Sequence, residues 1–120
     1  MKTQTIEIYN GKKLETFLYF AHEFKGRGGW NITCEVSYKK EKKNFRHYTT
    51  DSMFIDSLSD MKANGASFDD FQNAYYNHSF HNMEADVIEW LAEILEKENE
   101  EQNGNFAKPM LYAAFYSCLA

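Results

Sequence analysis

The chain is poor in the features that usually sort a sequence quickly. It has one proline, Pro109, in 120 residues, and no Gly/Ser-rich, charged or repetitive tract that would divide it into domains. The expectation is a single globular domain over 1–120, a length that can bury a core without disulfides or metal. Only two cysteines occur, Cys34 and Cys118. That excludes a disulfide scaffold and suits reduced thiols. No apolar run approaches the ~20 residues of a membrane-spanning helix; the most apolar stretch, 110–119, is about half as long. Met1-Lys2 leads into polar, alternating residues with no apolar h-region. The expected location is therefore the cytoplasm, with no membrane contact.

Catalytic signatures are equally scarce. Gly26-Arg27-Gly28-Gly29 could cradle an anion, but it lacks the Lys-Ser/Thr of a phosphate-binding loop and reads as a flexible connection. His78 and His81 have the i, i+3 spacing of a metal pair, yet no cysteine lies near, and loop or capping roles suit them better. Cys34 sits on the apolar face of an alternating segment, where a thiol is buried and inert. His22, His47, His78 and His81 could combine with Arg46 and tyrosines into an acid–base site, but nothing in their spacing requires it. No cofactor, metal or catalytic residue is expected.

What the chain does have is aromatic residues and segregated charge. Aromatics make up 17%, with 10 Phe and 8 Tyr, and hydrophobic residues 43%, too apolar for a disordered chain. The net charge of −5 conceals a division. Residues 1–50 hold ten Lys/Arg against five Glu, a balance of +5, and residues 51–120 hold three against thirteen Asp/Glu, a balance of −10. Such a dipole says more about partners than about fold.

Periodicity supplies the elements. Residues 3–9 alternate, with Ile6 and Ile8 on one face, and read as a strand. Leu14, Phe17, Leu18, Ala21 and Phe24 recur at helical spacing and predict a helix over about 12–24. Ile32, Cys34, Val36 and Tyr38 alternate on a second strand. Residues 44–50, anchored by Phe45 and Tyr48, form a third, and the charged loop 39–43 makes the two a hairpin with a basic tip. A helix follows from Asp51 or Thr50 to the Asn64-Gly65 stop, and Ser67-Phe68-Asp69-Asp70 opens another through about Asn77. Asn82 can cap a long amphipathic helix over about 83–102, with Val87, Ile88, Leu91, Ile94 and Leu95 as its apolar stripe. Residues 106–120 fit a short helix or a closing strand. The predicted class is α+β: a small antiparallel sheet, made of an N-terminal strand and a hairpin, packed on four or five mostly C-terminal helices.

Two surfaces stand out. The basic segment 38–48 brings Tyr38, Lys39, Lys40, Lys42, Lys43, Phe45 and Arg46 together and ends on a third aromatic, Tyr48; Arg27 belongs to the same basic half. Lys and Arg suit phosphates, and aromatic rings give unstacked bases a platform. The plainer reading is a hairpin tip kept charged against edge aggregation. On the long helix, Asp86, Glu89, Glu93, Glu96 and Glu100 recur at three- and four-residue steps, opposite the apolar stripe. They are either a wet face or a protein-partner contact for a basic groove. Five like charges with only Lys97 to pair with repel one another.

The function expected from these features is a non-enzymatic binding protein that acts on a nucleoprotein complex. Its partners would be a large basic nucleic-acid-binding protein, or its RNA complex, and possible RNA contact of its own. By size and charge it is similar to the small phage-type inhibitors of bacterial defence systems, the anti-CRISPR proteins, which would place it in a bacterial host cell; no shared motif carries that analogy. The alternative is a stand-alone single-stranded RNA- or DNA-binding module using the basic hairpin. A small nuclease or toxin comes third.

Overall fold

The computed structural model describes residues 3–8 and 11–104, with side chains as far as Asn99. The backbone groups into two units, Met1–Ile88 and Glu89–Ala120. Four strands open the chain: β1 (Thr3–Glu7), β2 (Lys13–Gly26), β3 (Gly29–Tyr38) and β4 (Glu41–Thr49). They form one antiparallel sheet in sequence order, a simple meander. Helices α1 (Ser52–Ala63) and α2 (Phe68–Ser79) follow, then a 3-10 turn (Phe80–Asn82) and α3 (Glu84–Gly104). The α+β class stands. Among the described residues there are three α-helices and one short 3-10 turn, where four or five helices were expected.

The main correction is β2. The segment expected as a helix over 12–24 is the longest strand of the sheet. Leu14, Thr16, Leu18 and Phe20 are buried while Glu15, Phe17 and Tyr19 between them are exposed, a period of two. Thr16 obscures that pattern because it is polar. Its hydroxyl donates to the Gln4 carbonyl at 3.2 Å, which satisfies it in the core. Phe17 and Tyr19 obscure it from the other side by putting rings on the exposed face. Once β2 is a strand, Arg27 and Gly28 become the two-residue turn into β3. Both have positive φ, 55° and 71°, as a type I′ hairpin turn requires. The β3–β4 turn is Lys39-Lys40, tighter than the five-residue loop expected.

One face of the sheet forms the core of the first unit. Leu18, Phe20, Ile32, Cys34 and Val36 are almost fully excluded from water, with Tyr38 and Phe45 nearly so. The Phe20 ring meets Tyr75 and Tyr76 of α2 and Phe80 of the 3-10 turn, at centroid distances of 6.2 to 6.4 Å. Leu58, Met83 and Val87 complete the helical side. Asp51 caps α1, accepting from the Phe54 N–H at 3.1 Å. Ser67 and Asp70 form the expected capping box on α2. Gly65, at φ 76°, carries the chain out of α1 through the left-handed region. Asn82 ends the 3-10 turn, so that Met83 immediately precedes α3.

In the second unit α3 continues as an amphipathic helix. Leu91 is buried, Ile94 and Leu95 are half-buried, and Glu89, Glu93 and Glu96 are exposed. The Glu100 side chain and residues 106–120 lie outside the described residues. No described helix is long and apolar enough to cross a membrane.

Candidate nucleic-acid interface

The side chains of the sheet that do not point to the core line up in rows across three strands. The register gives Phe17–Ser37–Lys42, Tyr19–Glu35–Asn44, Ala21–Thr33–Arg46 and Glu23–Asn31–Tyr48. Phe17, Tyr19 and Tyr48 are 38%, 41% and 50% exposed, which is high for rings on a sheet. Two contacts hold Tyr19 and Tyr48. Tyr19 stacks on Phe68 from the first turn of α2, with centroids 6.1 Å apart and planes 15° from parallel. Tyr48 lies across Gly29, whose missing side chain leaves the space for the ring; a Cβ there would collide with the phenol.

Among the described residues β4 is an edge strand, paired with β3 alone. The tight Lys39-Lys40 turn makes Tyr38 and Glu41 a hydrogen-bonded pair, and the ladder alternates from there. Lys42, Asn44, Arg46 and Tyr48 therefore turn both their backbone groups and their side chains away from β3 and the core, toward the open edge and outer face. Lys40, Lys42, Lys43 and Arg46 are exposed, and among the described residues none of them forms an ion pair. Among the described residues this is a long, cationic edge with no strand beside it.

The predicted contact residues divide. Lys39, Lys40, Lys42, Lys43 and Arg46 are gathered on β4 and its turn. Tyr38 and Phe45 are on the core face, 8% and 6% exposed, so their rings offer no platform to a base. They instead lie beneath the ammonium groups of Lys39 and Lys43, at 5.3 and 5.6 Å from the ring centroids. Phe45 and Tyr48, read as paired anchors, are three residues apart and so face opposite ways. Arg27 is in the turn at the other end of β3, roughly 30 Å from Lys39 at the rise of an extended strand. On the acidic side, Asp86, Glu89, Glu93 and Glu96 are exposed along α3. Phe17 and Tyr19 were missed as site residues, whereas Tyr48 stood at the end of the basic segment. The signal that finds the first two is the alternation in 13–20, which makes a strand and hence an outer face.

Two of the histidines make contacts that tie the fold together. His22 Nδ1 is 2.6 Å from the Tyr75 hydroxyl. His78 ends α2 with both ring nitrogens engaged: Nε2 meets Asp51 Oδ2 at 2.9 Å, and Nδ1 meets Ser79 Oγ at 2.7 Å. Phe54 stacks on the same imidazole at 3.8 Å. Serine, histidine and aspartate in a row invite comparison with a hydrolytic triad. Ser79, however, is wholly buried, and no substrate reaches its hydroxyl. The group ties the end of α2 to the start of α1. His47 lies close enough to His78 and His81 that their charges, after its own burial, hold its pKa below 6.5. Burial first, then the Glu35 carboxylate, pushes the Cys34 thiol up to about 12, which leaves it unreactive.

Comparison with protein-family models, curated proteins and solved structures finds no match to this chain.

Proposed function

We propose that this chain is a non-catalytic binding protein that takes single-stranded nucleic acid across the outer face of its sheet, with the β4 edge gripping the backbone. The observation that carries this reading is the placement of three exposed rings, Phe17, Tyr19 and Tyr48, on the face that also presents the unpaired cations Lys42 and Arg46. Rings that stack on bases and cations that meet phosphates are the two requirements of single-strand binding. A sheet face displays both to an extended strand, whose bases are unstacked and free to meet the rings. The test is fluorescence anisotropy with a labelled oligouridine at increasing salt. Binding should weaken steeply with salt, and Lys42→Ala with Arg46→Ala should lower the log–log slope by about 0.7 for each phosphate left without its cation. An oligonucleotide that does not bind at low salt would end this reading.

A second reading is favoured by a different observation. Asp86, Glu89, Glu93 and Glu96 are exposed, and none forms an ion pair among the described residues. In this reading the acidic ladder docks in a basic protein groove, and the chain inhibits a nucleoprotein complex in the manner of phage-type anti-CRISPR proteins. A pull-down from bacterial lysate with and without nuclease separates the two. Nucleic acid should be the captured species in the first, and a nuclease-resistant basic protein in the second.

A further inference from the structure

The outer face is not uniform. Between the Tyr19 row and the Tyr48 row the side chains Ala21 and Thr33 are small, and a hollow of about 190 Å³ opens there. Tyr19, Glu35 and Asn44 complete its lining. Glu35 is the unexpected member. A carboxylate on the middle strand repels phosphate, so a face that only gripped a polyanion would do better without it. It is half-buried, and Arg46 stands one row away, yet no ion pair joins the two. Its oxygens are left to accept from something that enters the hollow.

The chemistry of the bases decides what that is. A carboxylate has two acceptor oxygens and no donor. On the Watson–Crick edge, guanine alone offers two adjacent donors, N1–H and N2–H. Adenine and cytosine each set one amino donor beside a ring acceptor, and uracil sets its single N–H between two carbonyls, so each turns an acceptor toward the carboxylate. Guanine also carries the O6 acceptor beside N1–H, a partner for the Asn44 amide N–H.

We propose that this hollow is a guanine-reading subsite: Tyr19 stacks on the base, Glu35 accepts from N1–H and N2–H, and Asn44 donates to O6. Lys42 and Arg46, the neighbours of Asn44 on the same face of β4, take the flanking phosphates. The assignment rests on the single-strand reading above and adds a base preference to it.

The test uses labelled oligouridines that differ only at one central position, carrying uridine, guanosine, adenosine or cytidine. The full chain should bind the guanosine oligonucleotide about tenfold more tightly than the others, the scale of one good bidentate contact. Glu35→Gln keeps the shape but replaces one acceptor with a donor. It should bring the four affinities within about twofold while leaving oligouridine binding equal or slightly tighter, since a negative charge is gone. Circular dichroism and thermal melting of the variant establish that it folds. Equal affinity of the unaltered chain for all four oligonucleotides would overturn the subsite and leave strand binding standing. A guanosine preference that survives Glu35→Gln would also overturn it, because the base would then be read elsewhere. No binding of any oligonucleotide would overturn both.

Discussion

Gln72 acts as a strand residue for Phe20. Among the described residues β1 pairs with β2 only as far as Phe17, and none places a strand beside Phe20 on that edge. The Gln72 side chain of α2 fills the gap. Its Oε1 accepts from the Phe20 N–H at 2.7 Å, and its Nε2 donates to the Phe20 carbonyl at 3.2 Å. Gln72 is only 4% exposed. The bond pair brings α2 around the edge of β2, and one turn earlier Phe68 reaches Tyr19 on the outer face. The same helix therefore seals the core and supports a wall of the candidate site.

Gln72→Leu should reveal how much this contact holds. The substitution removes both partners of buried backbone groups, and each orphaned group costs about 1–3 kcal/mol. After the apolar gain, urea unfolding should show a loss of about 2–4 kcal/mol. A loss under about 0.5 kcal/mol would mean that water replaces the amide, and the edge would then be open.

Sequence and structure part company where two periods overlap. In residues 13–20, Leu14 and Leu18 fit a helix and a strand equally well. Phe17 and Ala21 complete the helical pattern, while Thr16 and Phe20 complete the strand. The deciding facts are tertiary: the Thr16 hydroxyl finds the Gln4 carbonyl, and β3 pairs along the whole second half of β2. Neither is visible locally. Elements that need no such partner were legible. Asp51 and Ser67 announce their helices by side chains that cap the very next turn, and Ile32 to Tyr38 alternate without ambiguity. The basic edge was legible from Lys40, Lys42 and Lys43, but the platform beside it required β2 to be a strand. So of the three aromatics of the basic segment only Tyr48 is exposed, and Tyr19, the exposed ring of the strand misread as a helix, went unread.

Gly29 and Tyr48 form a second pair open to test. Gly29→Ala places a methyl group where the Tyr48 ring now lies. Because Tyr48 is half exposed, the ring should swing outward at a cost of about 1 kcal/mol or less, within the range of surface substitutions. In a Tyr48→Ala background the cost of Gly29→Ala should vanish, since the collision is gone. Thermal melting of the four proteins gives the coupling directly. Additive effects would show that Gly29 is needed for its backbone and not for the ring.

Acid should loosen the junction of β4, α1 and α2 in two stages. His47 has its pKa held below 6.5, first by burial and then by His78 and His81. The unfolded chain therefore binds the extra proton more readily, so this contribution to stability is complete above about pH 6.5 and is lost as pH falls toward the lowered folded value. Asp51 is held below 3.8, first by the hydrogen bond from His78 and then by the Phe54 N–H. Its contribution is complete above its unfolded value and is lost as pH falls further. Melting temperature should decline below pH 6.5 and again below about pH 4. His47→Gln should shrink the upper decline and leave the lower, and Asp51→Asn should do the reverse. An upper decline unchanged in His47→Gln would assign it to another histidine.

The acidic ladder of α3 offers the sharpest contrast between the two functional readings. Glu89, Glu93 and Glu96 are exposed, and their conversion to Gln leaves the apolar residues Leu91, Ile94 and Leu95 untouched. Gln and Glu have nearly the same helix propensity. Removing like charges at i, i+3 and i, i+4 should even raise stability by a few tenths of a kcal/mol. The triple variant is thus expected to melt at the same temperature or slightly higher. If the ladder only faces water, oligonucleotide binding should be unchanged or somewhat stronger, because long-range repulsion of phosphate has been relieved. If it docks in a basic groove, capture of the protein partner should fall through a slower on-rate, and the difference should shrink as salt rises. Intact capture by a stably folded triple variant would remove the ladder from the mechanism. The inhibitor reading would then lose its residue-level support, and the sheet face would be left as the functional surface.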